Sequence, residues 1–386
     1  MTLFDFHNLF ELVKKECKAI FSNPAIILTV FGGVIFYSFL YPLPYANQTP
    51  VEQAITVINL DNSLTSRQLE RMVDATPQIK IVNRAHSIEE AKEQFFTGDV
   101  RGILLIPENF HRDLLLGKSP TLGYAGDASY FLVYGTIAEG LAQAGGTLAA
   151  QTKIAQLLAN GVPLDLAQEQ YAQVKLNMKP TFNPTVGYVN YVVPAVFVLI
   201  LQQTLIIGLG LTGASEKSST GGYWRKESTL KILSIRTAIF VFVYYVMALY
   251  YFGFSFDFYD ISRLASPLIL LALLAPFLLA SSFVGICLGA LVPRRELVTV
   301  VVLVGSMPLI FSAGFIWPLE SIPLPVIWLS NLFPSTPAIQ SFLAMNQMGA
   351  DFSQILPQWL LLWSQVVGWG LLAYFTYKRT QLTTSG

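Results

Sequence analysis

The chain has 386 residues, of which 53% are hydrophobic and only 12% charged, with no net charge and a mean hydropathy of +0.52. That is about half the charge of an ordinary soluble protein, so much of the chain belongs in lipid, and no basic stripe is left to neutralise nucleic-acid phosphates. Only two cysteines are present, Cys17 and Cys287, which gives no support to a disulfide framework.

From Leu3 to Phe21 the apolar residues Phe6, Leu9, Phe10, Val13, Cys17 and Ile20 recur at helical spacing, while Glu11, Lys14, Lys15 and Lys18 fall largely elsewhere around the helix. This predicts a helix lying in the membrane plane. It is expected to be retained, because no A-x-A-like site follows the next apolar run. That run, Ala25 to Tyr41, opens with Asn23-Pro24, a good helix start, and is the first expected span.

After Pro42 and Pro44 the charge becomes ordinary for a soluble domain. Thr56 to Leu60, Ile79 to Val82 and Gly102 to Ile106 are short aliphatic runs that predict strands, with helix patterns at Ser63 to Ala75 and Ser87 to Phe96 between them. The alternation predicts a small α/β domain. An Ala-rich helix from Ser129 to about Leu158, an Asn160-Gly161 stop and a second helix from Pro163 to about Met178 would form a hairpin returning the chain to the membrane.

Five further apolar runs follow: Tyr188 to Leu211, Ile232 to Phe252, Pro267 to Val292, Leu297 to Trp317 and Pro357 to Tyr377. Each is long enough to cross a hydrocarbon core of roughly 30 Å. The segment from Pro318 to Ile339 is apolar and aromatic but too rich in proline for one continuous helix, so an interfacial or re-entrant segment is expected, with Trp317 and Trp328 at headgroup depth.

Positive charge in short loops marks the cytoplasmic side. Lys14, Lys15 and Lys18, then Lys217, Arg225, Lys226 and Lys231, then Arg294 and Arg295, then Lys378 and Arg379 all fall on one side. The other side has Asp257, Asp260, Glu320 and Asp351 against a lone Arg263. Both termini are therefore expected in the cytoplasm and the α/β domain outside.

The segments that frame this plan also carry a resemblance. Ile58-Asn59-Leu60-Asp61-Asn62-Ser63-Leu64-Thr65-Ser66-Arg67, then Gly98 to Phe110 with its Ile106-Pro107 step, then Gly314-Phe315-Ile316-Trp317-Pro318-Leu319-Glu320-Ser321-Ile322-Pro323 and Pro334-Ser335-Thr336-Pro337 together resemble the ABC-2 type permease family. Members of that family are membrane subunits of ATP-driven exporters. The resemblance covers essentially the whole chain. It implies a cytoplasmic ABC ATPase subunit that uses the ATP, a second permease copy or paralogue, and an optional periplasmic adaptor protein, with no cofactor held by this chain.

In such permeases a cytoplasmic helix with a pattern close to E-x-x-x-G-T-x-E-x-L-L presses into the ATPase. Here Glu216-Lys217-Ser218-Ser219-Thr220-Gly221 exchanges the Gly and Thr, and Arg225-Lys226-Glu227-Ser228-Thr229-Leu230 places Ser for Gly. Glu216, Lys217, Tyr223, Trp224, Arg225, Lys226, Glu227, Arg294 and Arg295 are the expected ATPase-coupling residues. Tyr188, Tyr191, Gln202 and Gln203 are the expected lining of a translocation path, simple packing being the alternative for each.

Enzyme motifs are missing. No H-E-x-x-H or G-x-S-x-G occurs, and His7, His86 and His111 are scattered. Gly117-Lys118-Ser119 ends like a phosphate-binding loop, but Arg112 stands where its first glycine is required, so a loop between a helix and a strand is expected there.

The expected fold class is a mainly α membrane protein with six transmembrane helices and an N-terminal interfacial helix, carrying an α/β extracytoplasmic domain between spans 1 and 2. Residues 1–45 hold the interfacial helix and first span, 46–187 the external domain, and 188–386 spans 2 to 6 with a coupling loop at 213–231. The expected function is an inner-membrane exporter permease, not an enzyme, for amphipathic or lipid-like cargo. The alternative is a membrane scaffold or receptor that recruits partners through its external domain.

Overall fold

A computed structural model describes residues 3–45, 50–171, 181–183, 187–217 and 222–384. The chain divides into two compact units, one made of Met1–Gln48 with Pro180–Gly386, the other of Thr49–Lys179. The Ser218 to Gly221 register of the expected coupling helix and the end of the expected hairpin helix, from residue 172 to Met178, lie outside the described residues.

Helix α1 is Leu3–Phe21. Leu12, Glu16 and Ile20 are buried at four-residue intervals, while Phe10 stays exposed, so α1 packs by one stripe and offers an apolar flank to lipid. Helix α2, Pro24–Tyr45, is the first long apolar helix. Asn23 caps its first turn through Ala25 N at 3.1 Å, with Pro24 needing no partner for an amide it lacks.

In the second unit β1 (Gln53–Asn59), α3 (Leu64–Asp74), β2 (Ile79–Arg84), α4 (Ile88–Phe96), β3 (Gly102–Ile106), α5 (Phe110–Leu115) and β4 (Gly123–Gly126) alternate, followed by α6 (Phe131–Ala159) and α7 (Leu164–Gln170). The strand order is β2-β1-β3-β4, with β1 parallel to both β2 and β3, and β4 antiparallel on the edge. Ile55, Val57, Leu104 and Ile106 point to one face, where Leu69, Val73, Ile137 and Leu141 cover them.

The Asn59 to Arg67 motif is a strand-to-helix turn. Asn59 Oδ1 accepts from the amides of Asp61 and Asn62, its Nδ2 donates to Glu70 at 2.7 Å, and Ser63 caps α3 through Ser66 N at 3.1 Å. Gly117-Lys118-Ser119 follows helix α5 and precedes strand β4, the reverse of the strand-to-helix setting a phosphate loop needs. Lys118 pairs with Asp113 at 3.7 Å.

The first unit continues with α8 (Val192–Lys217), α9 (Thr229–Phe258), α10 (Pro267–Leu291), α11 (Glu296–Ser312), α12 (Leu324–Ser330), α13 (Ser335–Phe342) and α14 (Leu356–Thr384). Among the described residues five helices are long and apolar enough to cross a membrane, α2, α8, α9, α10 and α14, and α11 is a shorter apolar helix of 17 residues. The run expected to reach Trp317 stops at Ser312. Gly314 then turns with φ +89°, and the Leu319 side chain lies where a Cβ on Gly314 would be, at 2.7 Å.

α8 is the axis of this unit and is buried almost from end to end. Its closest neighbour is α10. Gly285 and Gly289 of α10 form a small-xxx-small step, and a Cβ on Gly289 would stand 2.7 Å from the carbonyl oxygen of Gly210 on α8.

The segment after α11 breaks helical structure inside an apolar body, which leaves backbone carbonyls without helical partners. Side chains take them. Gln340 donates to Ala313 O at 3.2 Å, Gln365 to Asn331 O at 2.7 Å and Trp369 to Leu332 O at 3.0 Å. These bonds account for the tolerance of a proline-rich turn here, and Trp317 and Trp328 remain exposed beside it.

Candidate functional site at the basic end of the helices

The end of α8, the start of α9, the end of α10 and the end of α14 converge with α1 around one arginine. Arg236 lies on the second turn of α9 and is 1% exposed, against 0% for Glu16 and 11% for Glu216. Its Nε and Nη2 donate to Glu16 at 3.1 and 2.9 Å, a bidentate pair. Nη1 donates to Glu216 at 2.9 Å, and Nη2 also contacts Glu216. Tyr377 of α14 donates its hydroxyl to the same carboxylate at 2.9 Å, and the guanidinium lies 5.5 Å from the Tyr377 ring centroid.

Two carboxyl groups share one guanidinium, and the Tyr377 hydroxyl donates to the second of them. Planar geometry with five donors lets arginine grip one acid in a bidentate fork while bonding the other, which lysine, with its three donors on one atom, could not do. The four helices α1, α8, α9 and α14 are thereby fixed to one another by charge-assisted hydrogen bonds.

The expected coupling residues divide into two groups around this cluster. Glu216 is inside it. Lys217, one residue on, donates to Ala290 O at 2.7 Å and Val292 O at 3.2 Å, closing the last turn of α10. Trp224 is buried, not displayed: its carbonyl accepts from Gln381 at 2.8 Å, Thr229 donates to Gln381 at 2.5 Å, and Arg225 lies 5.1 Å from its ring centroid. Tyr223 is half-buried, and burial, reinforced by the Glu16 carboxylate, pushes its phenol above the ordinary range. Lys226, Arg294 and Arg295 are exposed and Glu227 is half-exposed.

The four expected path residues do not form one site. Tyr188 is half-buried with its ring 5.4 Å from that of Tyr45, and Tyr191 is exposed. Gln202 is buried and donates to Ser335 of α13 at 3.1 Å, while Gln203 is half-buried. Along a helix the tyrosine and glutamine pairs would be separated by about 16 Å. Gln202 is a link between α8 and the broken segment.

Sequence reasoning missed Arg236 and Glu16. The signal was available: a lone arginine inside an apolar run is costly unless paired, and so announces a partner. Glu16 likewise interrupts the Leu12 and Ile20 stripe of α1.

A bundle of long apolar helices, with a broken segment satisfied internally and a charged cluster at one end, defines a multi-pass membrane protein. The family described as ABC-2 family transporter protein matches residues 24–375. The chain belongs to that family and is a transporter membrane protein, an ABC permease. No curated relative matches it.

Proposed function

We propose that the chain is the membrane subunit of an ABC exporter, working as a pair of permeases with a cytoplasmic ATPase that supplies the energy. The observation that carries this reading is the gathering of the loop 222–228, the α10 to α11 step and the end of α14 around the Arg236 cluster. A push on Lys226, Arg294 or Arg295 reaches α8, α9, α10 and α14 together. Glu216, Lys217, Tyr223 and Trp224 act as the internal anchor of that surface, and Arg225 and Glu227 border it.

In this reading the basic end faces the cytoplasm, both termini with it, and the protein sits in the inner membrane. The α/β unit stands outside, where an adaptor would meet it. The cargo is amphipathic or lipid-like, and Tyr188, Tyr191, Gln202 and Gln203 contribute to its route. The broad apolar faces left exposed on α11 and α14, among them Val300, Val304, Met307, Val367 and Phe375, are available to the second permease and to lipid.

Topology is checked first. With Cys17 and Cys287 replaced, Ser119→Cys is expected to react with an impermeant thiol reagent in intact spheroplasts, and Ser228→Cys only after permeabilisation. Reversed labelling removes the orientation and the ATPase surface with it.

Coupling is checked next. Lys226→Glu combined with Arg294→Glu and Arg295→Glu is expected to weaken ATPase binding about tenfold, equivalent to about 1.4 kcal/mol, more at low salt than at high salt. ATP-dependent efflux from vesicles should fall in parallel while the chain still inserts. Unchanged binding and efflux, or a chain that recruits no ATPase at all, would favour the scaffold reading.

A further inference from the structure

The structure holds a second candidate site, away from the path residues, that faces the bilayer. Helices α9, α10 and α14 leave between them an almost wholly apolar crevice of about 550 Å³, within the range of roughly 300–1,000 Å³ typical of small-ligand sites. Gly370 opens it on the α14 side, where an added Cβ would stand 3.2 Å from the Phe283 ring.

Its wall on α9 is graded. Lys231, Ser234, Thr237 and Val241 follow one another at three- and four-residue steps, so they line one face over about 15 Å. Lys231 and Ser234 are exposed, and Ser234, Thr237 and Val241 line the crevice. Lys378, also exposed, stands one turn beyond the crevice-lining Tyr374, with its Nζ 5.6 Å from that ring centroid.

Thr237 sits on the buried side of this wall. It is 4% exposed, and its hydroxyl has no hydrogen-bond partner among the described residues. Thr204, Thr212, Ser282 and Ser306 instead satisfy theirs on the carbonyl four residues back.

Cation, hydroxyl and hydrocarbon, in that order from the basic end inward, match phosphate, glycerol and acyl chain. We propose that the crevice is a site for one anionic phospholipid of the surrounding bilayer, its phosphate held by Lys231 and Lys378, its glycerol beside Ser234 and an acyl chain along the apolar wall. Basic residues at the mouth of an interhelical pocket are the arrangement that retains anionic headgroups. Arg236 is the residue before Thr237, and Tyr377 the residue before Lys378, so an occupied crevice stiffens the two helices that hold the charged cluster. The site depends neither on the cargo nor on the ATPase.

The test uses the full chain in nanodiscs of phosphatidylcholine containing a minor fraction of phosphatidylglycerol that bears a photoreactive acyl chain. Crosslinks are expected to concentrate on α9 and α14 around Ala238 and Gly370. Ala238→Trp, which fills the crevice, should lower them about tenfold. Lys231→Gln with Lys378→Gln, both at exposed positions, should abolish the preference over a phosphatidylcholine probe carrying the same chain. Crosslinks spread evenly round the apolar belt, equal labelling by both headgroups, or labelling unchanged in both variants would overturn the proposal. So would displacement of the probe by a transported amphiphile, which would make the crevice a cargo site.

Discussion

Arg236→Met is expected to be the most damaging single substitution in the helical unit. It removes the only cation between Glu16 and Glu216 in the cluster and leaves two buried carboxylates facing one another. Breaking a buried ion pair by deleting one partner typically costs about 3–5 kcal/mol, because the remaining charge keeps its desolvation penalty and loses its compensation. Here two acids lose their partner at once. The folded fraction in mild detergent, followed by thermal melting and size-exclusion elution, should fall steeply, with α1 the first element to become accessible to protease. Tyr377→Phe removes one hydrogen bond to Glu216 and should cost less, about 1.5–3 kcal/mol. Glu216→Gln leaves the arginine paired with Glu16 and should also be milder. If Arg236→Met melts like the unaltered protein, the cluster does not hold these helices together.

The sign of a triple replacement is informative in another way. Glu16→Leu, Arg236→Met and Glu216→Leu together remove every charge, so no stranded ion remains, and stability should return toward that of the native chain. ATPase stimulation should not return. The charges fix the relative setting of α1, α8 and α9, and an apolar contact of the same volume permits sliding. Recovery of both properties would assign the cluster to packing alone.

Much of the membrane unit was legible because a helix that crosses lipid, whether it faces acyl chains or other helices, needs a long apolar run. The runs behind α2, α8, α9, α10 and α14 are long and predominantly apolar, and the aliphatic strands β1, β2 and β3 were equally plain. β4 was not, since Gly123-Tyr124-Ala125-Gly126 has no strand pattern of its own and is a strand only because β3 offers it an edge. The end of α11 was misplaced for a similar reason: hydropathy continues through Trp317, whereas the helix stops where Gly314 must adopt positive φ against Leu319. The charged cluster depends on proximity that no local window contains. Arg236 is 220 residues from Glu16 and 20 from Glu216. Trp224 read as a displayed anchor because aromatic residues dominate interfaces, but its backbone bond to Gln381 and its burial turn it inward.

Gly289→Ala should separate the two central helices, an effect opposite in sign to that of the same change nearby. The Cβ it introduces would lie 2.7 Å from Gly210 O and 3.1 Å from Gly210 Cα, which are backbone atoms and cannot rotate away. Relief requires α8 and α10 to move apart along a contact that also includes Gly213 and Gly285, where added carbons would meet Gly289 Cα at 3.4 Å and Ile206 Cα at 3.0 Å. In lipid that contact has no hydrophobic drive to restore it, since acyl chains wet the exposed faces as well as leucine does, and close backbone approach supplies much of its stability. Overpacking of this kind costs about 1–3 kcal/mol. Gly305→Ala on α11 is the control: a Cβ there meets nothing within 4 Å, so the gain from reduced backbone freedom, about 0.5–1 kcal/mol, should appear unopposed. Melting of the two variants in the same detergent is the measurement. Equal shifts would mean that α8 and α10 are not in glycine-mediated contact.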